Sequence, residues 1–296
     1  METGREPEAA TVDRLPEHIS YSSWQLWRNC QQKWYLDVVR KLGQKVKSVH
    51  MDFGTAIHGT IELLKGRAVD KRPTDPGAFF ESKFRELLAE NLPLYREKER
   101  LDLAKPDKVQ FFITAGRQIL SRFDECVEIS SAEVIYNEHR LMQPIDRSDD
   151  ISVHFKGFID MVIRAKDKRG NTILWVCDFK SCSWGWDREK RQNRELQFQL
   201  LLYKHFLCKR FNLDPKNVRC AFVLLKKRPP KGVAPVEFFP VSAGPVSVQR
   251  ALDELLSDIT DMGARVSSGL FLKNRKFCKN EFGDVCPHLN TSLCPQ

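Results

Sequence analysis

The sequence predicts a mixed α/β protein with a helical N-terminal elaboration, and three observations carry that expectation. Helix-start signals and helical periodicity fill roughly the first 130 residues. The texture then changes to three segments rich in β-branched and aromatic residues. A further helical stretch, two more strand-like segments and a last helix complete the order.

Composition sets the outer bounds. With 296 residues, 42% hydrophobic and 29% charged, the chain can bury a substantial core and is not disordered wholesale. Its densest apolar run, Ala221-Phe222-Val223-Leu224-Leu225, reads as a buried strand. A membrane helix needs roughly 18 such residues. The opening METGREPEAATVDR carries acids and no apolar centre, so no secretory signal is expected. Nine cysteines, an odd number in so large a chain, argue against a disulfide scaffold and for an intracellular, reducing location. The charge of +9 permits a polyanionic partner without requiring one.

Taken in order, residues 1–17 read as a disordered tail. Ser20-Tyr21-Ser22-Ser23 offers hydroxyls to cap a helix running towards Val39, with Trp24, Trp27, Trp34 and Leu36 as its apolar stripe. A second helix is expected over Phe53–Lys65, ended by Gly66, then two more over Gly77–Asn91 and Asp107–Ile129. This helical region spans 18–130. Strands follow over Ala132–Met142, Ser152–Arg164 and Thr172–Phe179, then a helix over Glu189–Asn212. Strands over Val218–Lys226 and Val236–Val241 complete a core at 131–245. A helix over Ser247–Ser268 and a cysteine-bearing segment make up 246–296.

The third strand ends Val176-Cys177-Asp178-Phe179-Lys180. Alternation puts Asp178 and Lys180 on one face. A carboxylate in so apolar a strand is costly unless a cation or a donor meets it. If the preceding strand pairs antiparallel, its Asp160 can lie beside Asp178, and two such carboxylates repel unless a divalent ion such as Mg²⁺ or Mn²⁺ joins them. Lys180 could then stabilise charge on a phosphodiester under attack. The bland reading is a strand-end ion pair of Asp178 with Lys180. Gln199 and Tyr203 are i and i+4 on an otherwise apolar helix, and His58 lies in the small-residue run Phe53-Gly54-Thr55-Ala56-Ile57-His58-Gly59. Alone, that pair reads equally as a packing detail and His58 as structural.

In sequence order, Ser20-x-Ser22 with Cys30 and Trp34, Gly54-Thr55-x-x-His58, Gly157-x-x-Asp160, Asp178-x-Lys180 and Gln199-x-x-x-Tyr203 form a set. That set resembles the RecB-like branch of the PD-(D/E)xK nuclease superfamily, including phage-encoded and CRISPR-associated exonucleases. The resemblance covers residues 20–294. It implies a restriction-endonuclease-like αβββαβ core, with His58, Asp160, Asp178 and the backbone carbonyl of Phe179 as ligands of Mg²⁺ or Mn²⁺. Lys180 would be the catalytic lysine, supported by Gln199 and Tyr203. Ile159 stands where the family has Pro, and the second acid is Asp rather than Glu. Glu138 is a further acid, read here as an exposed strand charge.

Related nucleases close a [4Fe–4S] cluster with one N-terminal and three C-terminal cysteines. By that resemblance Cys30, Cys278, Cys286 and Cys294 form a C-terminal Fe–S staple, with seven residues between successive C-terminal cysteines. A structural Zn²⁺ on Cys278, Cys286, Cys294 and His288 is the alternative. Cys126, Cys177, Cys182, Cys208 and Cys220 are expected in the core.

Basic runs at Arg40–Lys47, Arg188–Arg194, Lys204–Arg210 and Lys226–Lys231 are candidate DNA contacts or solvated faces. Trp184 and Trp186 could stack on unpaired bases or pack beneath the loop. The expected activity is metal-dependent DNA hydrolysis from single-stranded ends, in recombination or repair, with recombination or replication proteins as partners. The alternatives are a non-catalytic nucleic-acid-binding or recombination subunit on the same scaffold, and a structure-specific endonuclease.

Overall fold

The chain order in the computed structural model is β1 (His18–Ser20), α1 (Tyr21–Asn29), α2 (Gln31–Trp34), α3 (Val49–Lys65), α4 (Pro76–Asn91), α5 (Glu97–Leu103), α6 (Pro106–Ser121) and α7 (Val127–Ser130). Then come β2 (Glu133–Pro144), β3 (His154–Lys166), β4 (Thr172–Cys182), α8 (Arg188–Gln192), α9 (Arg194–Phe211), β5 (Val218–Lys226), β6 (Val236–Val241) and α10 (Pro245–Ser268). The structure describes residues 13–66, 68–145, 153–279 and 285–295, so most of the expected tail lies outside the described residues. No described helix is long and apolar enough to cross a membrane.

Contacts divide the chain into two units, Met1–Gln44 with Pro144–His154 and Asp253–Gln296, and Lys45–Gln143 with Phe155–Leu252. The division falls within α10.

In the second unit β2 pairs with β3, and β3 with β4 antiparallel, from Met161↔Cys177 to Lys166↔Thr172. α9 lies in the connection from β4 to β5, and such a crossover lets those strands run parallel, from Leu174↔Val218 to Cys182↔Lys226. β6 returns antiparallel on β5. Phe53, Phe80, Phe84 and Phe112 from α3, α4 and α6 pack with Cys177 and Phe179 of β4 and Val223 of β5 in one core. The opposite sheet face meets α9, where Phe206 stacks on Phe155 at 4.5 Å and Cys220 Sγ donates to the Leu200 carbonyl. Burial on both faces explains why β5 is apolar almost without interruption. Beside the helical core, the buried Asp52 carboxylate accepts from Asn91 Nδ2 at 3.0 Å and from the Tyr95 hydroxyl. Cys126, Cys177, Cys182, Cys208 and Cys220 are all buried.

In the first unit Ser20 Oγ caps α1, accepting from Ser23 N–H at 3.2 Å. Trp24, Trp27 and Trp34 are almost fully buried. The Trp24 indole donates to Asp258 Oδ2 at 2.6 Å, and Arg28 pairs with Glu254 at 2.5 Å.

Three expected helices are divided. Towards Val39, Cys30 is extended (φ −161°), the helix restarts at Gln31, and Tyr35–Val39 takes a wider π turn. The helix expected over Glu189–Asn212 breaks at Asn193, whose side chain accepts from Leu196 N–H at 3.2 Å and caps α9 instead of continuing α8. The helix expected over Asp107–Ile129 ends at Ser121, after which Phe123 is fully buried. β4 runs on to Cys182, so Lys180 lies within the strand.

A Cβ on Gly116 of α6 would fall inside the ring of Phe80 in α4. Gly116→Ala is therefore predicted to lower stability by about 1–3 kcal/mol in urea unfolding. On helix propensity alone it would gain about 1 kcal/mol.

Candidate active site

The ladder joining β3 to β4 reaches Met161↔Cys177, and the next residue on either strand is an acid, Asp160 or Asp178. Asp160 Oδ2 accepts the Phe179 N–H at 2.6 Å. Asp178 is 3% exposed. Its Oδ2 lies 2.8 Å from Lys180 Nζ, but off the hydrogen-bonding direction, so that buried oxygen has no hydrogen-bond donor. Burial, with Asp160 adding to it, pushes the Asp178 carboxyl up to about 6, while Lys180 and His58 pull the other way.

His58 comes from α3. Its Nδ1 is 3.5 Å from Asp160 Oδ1, and its ring meets Phe179 edge-on at 5.4 Å. Burial works to lower its pKa, but hydrogen bonding and charge from Asp160, with Asp178, leave it raised. Lys180 Nζ donates to Gln199 Oε1 at 2.8 Å, and Gln199 Nε2 donates to the Tyr203 hydroxyl at 3.0 Å. The i, i+4 pair of α9 thus reaches the lysine as one unit. Tyr203 also takes a backbone hydrogen bond from Phe158, and burial raises its pKa. A Cβ on Gly157 would stand 2.5 Å from Tyr203 Cε1, so glycine there lets the tyrosine ring lie against β3.

The structure therefore brings His58, Asp160, Asp178, Phe179, Lys180, Gln199 and Tyr203 together in the second unit. Two further acids share the surroundings. Glu138, exposed on β2, has a left-handed backbone (φ 47°), and its pKa is raised by partial desolvation first, then by Asp160 and Glu62. Glu62 follows His58 by one helical turn, a spacing that could have singled it out. Among the described residues, no three His, Cys, Asp or Glu side chains are gathered tightly enough to hold a metal ion as they stand. The donor types nonetheless fit a hard divalent cation, two carboxylates and an imidazole beside a buried oxygen lacking a donor.

The four cysteines expected to act together all fall in the first unit. Burial, then Cys286, Cys30 and Cys294, raise the pKa of the Cys278 thiol. Neighbours of Cys30 fasten the cysteine segments. Asn29 O accepts from Asn274 Nδ2 at 2.9 Å, and Leu293 O accepts from Gln32 Nε2 at 3.0 Å. Cys286 N–H donates to Cys278 O at 2.8 Å. His288, buried, has Nε2 2.7 Å from Asp37 Oδ1.

Of the two tryptophans after the lysine, Trp186 is core, 4.8 Å from Phe222, whereas Trp184 is 64% exposed. Part of the expected basic surface is internal. Lys204 is buried and donates to the Ala243 carbonyl, Lys226 pairs with Glu237 at 2.7 Å, and Lys227 is buried against Phe53 and His50. Arg191 is also tied to Glu237.

A model of the PD-(D/E)XK nuclease superfamily matches residues 18–293. No curated protein matches the chain. Among solved structures, a "Putative exonuclease" from Eubacterium rectale superposes with a TM-score of 0.52 over 87% of this chain and 84% of that one, at 10% identity. At that identity the likeness is one of fold.

Asp178 holds its proton more tightly in the folded chain, up to about 6, than an ordinary aspartate near 4. Folding is therefore disfavoured progressively as pH rises through that interval. In chelator, Asp178→Asn is predicted to melt above wild type at pH 8 and to lose that advantage by pH 4, as read by thermal denaturation.

Proposed function

Because the chain belongs to the PD-(D/E)XK nuclease superfamily, we propose that it is a metal-dependent deoxyribonuclease, an exonuclease acting on single-stranded ends in recombination or repair. The observation that carries this reading is the buried Asp178 oxygen without a donor, with Asp160 as a second carboxylate beside it and Lys180 Nζ 2.8 Å away. His58, Asp160, Asp178 and the Phe179 carbonyl would hold Mg²⁺ or Mn²⁺. When bound, such an ion supplies Lewis-acid polarisation of the scissile phosphate and a water of lowered pKa. Lys180, steadied by Gln199 and Asp178, lends positive charge to the oxygens of the attacked phosphorus. Gln199 and Tyr203 act through that lysine by fixing its amine. The exposed Trp184 supports contact with unpaired bases, and the name of the Eubacterium rectale relative supports the end-dependent mode.

We also infer that Cys30, Cys278, Cys286 and Cys294 hold a [4Fe–4S] cluster. The nearness of Cys30, Cys286 and Cys294 to Cys278, whose thiol pKa they raise after burial does, supports it; a Cys₃His zinc site on Cys278, Cys286, Cys294 and His288 is the alternative.

The activity is tested on end-labelled linear and circular single-stranded DNA with Mg²⁺ or Mn²⁺. Linear DNA is expected to be degraded and the circle spared, and chelator should stop the reaction. Asp178→Ala and Lys180→Ala should each lower cleavage at least 10³-fold, on the order of an electrostatic contribution to phosphoryl chemistry, while DNA affinity stays within a few-fold. Full cleavage by Lys180→Ala overturns the assignment. Equal cutting of the circle indicates an endonuclease, and binding without turnover indicates the non-catalytic reading. Anaerobically purified protein is predicted to be brown with iron and acid-labile sulfide, both lost in Cys286→Ser. A colourless, zinc-loaded preparation removes the cluster.

A further inference from the structure

We propose that Phe158 is a nucleobase platform, its ring stacking on an unpaired base next to the phosphodiester that reaches Asp160, Asp178 and Lys180. The inference rests on the nuclease reading above and specifies how the substrate strand is seated.

Phe158 lies in β3, two residues before Asp160. Its neighbours Gly157 and Ile159 are buried, whereas Phe158 is 41% exposed. Other rings along this sheet are spoken for. Phe155 stacks on Phe206, and Trp186 packs on Phe222. The Phe158 ring makes no aromatic or cationic contact among the described residues. A large apolar ring thus stands in water between two buried neighbours and two residues from an acid of the site, where the face of a base can cover it.

The backbone beneath that ring is fixed to the catalytic lysine. Gly157, next to Phe158, lies directly against the Tyr203 ring, Gln199 Nε2 donates to the Tyr203 hydroxyl, and Lys180 donates to Gln199 Oε1. A base resting on Phe158 is thereby held at a set distance from the amine, as a group on a rigid strand and not on a loop. Every base has a π-face, so the contact carries no sequence preference, but a paired and stacked base cannot offer that face. The geometry thus selects single-stranded DNA or frayed ends.

The test uses wild type, Phe158→Ala and Phe158→Trp on a single-stranded oligonucleotide, and on copies carrying one abasic nucleotide at successive positions. Melting curves check that the variants fold. Phe158→Ala is expected to raise KM on the order of tenfold, the effect of losing one stacked base, with kcat changed little, and Phe158→Trp should restore KM. One abasic position should cost wild type the same amount and add nothing in Phe158→Ala. An unchanged KM in Phe158→Ala, or an abasic penalty that still adds in full, overturns the proposal. Quenching of 2-aminopurine at that position reads stacking without turnover. Quenching lost in Phe158→Ala but no cleavage by wild type would sink the nuclease reading and keep the platform; cleavage with no quenching would do the reverse.

Discussion

A carboxylate enclosed in a β-sheet has to be answered by something, and around Asp178 the answers are local and few. Burial drives its proton affinity up, Asp160 drives it further, and Lys180 and His58 oppose both. The neighbouring acid is partly satisfied by the Phe179 N–H, a backbone donor spent on a side chain where the strands end their ladder. One oxygen of Asp178 is left without a donor. Stability alone would replace such a group with an apolar residue. On the proposed function, its presence at the strand end, with a lysine on the same strand, is a stored demand for positive charge, which chemistry on a phosphodiester requires.

The lysine is controlled from a different element. α9 crosses from β4 to β5, and that crossover brings Gln199 and Tyr203 of its sheet-facing side to Lys180. The parallel β4–β5 pair and the positioning of the amine are therefore one topological fact. Asn193 contributes by restarting the helix after α8, which gives α9 its own N-terminus and phase.

Much of this was legible from residue types. β5 was legible because its buried centre, Cys220–Leu225, is an unbroken apolar run, and β6 because Val236 and Val241 bound a short apolar segment that holds only one charge, Glu237. The acids, lysine, glutamine and tyrosine were readable because alternation and the i, i+4 rule put them on common faces. The breaks at Cys30 and Asn193 were not, since each residue is tolerable in a helix and only tertiary contacts select the extended or capping conformation. Lys204, Lys226 and Lys227 looked like surface charge. Their long aliphatic stems let them lie inside while the amine meets a carbonyl, a carboxylate or a ring, which composition does not reveal. Glu138 is the exposed strand charge its residue type suggested, but its left-handed backbone and its neighbours from α3 exist only in the fold.

The narrowest tolerance near the reacting groups belongs to a residue with no side chain. Tyr203 lies so close to Gly157 that a single added methyl would displace the phenol, and with it Gln199 and the amine it steadies. Position 157 works as an alignment pin between strand and helix. If the proposed function holds, an alanine there would mimic loss of Lys180 itself in a survey of inactive variants, with His58, Asp160 and Asp178 still present.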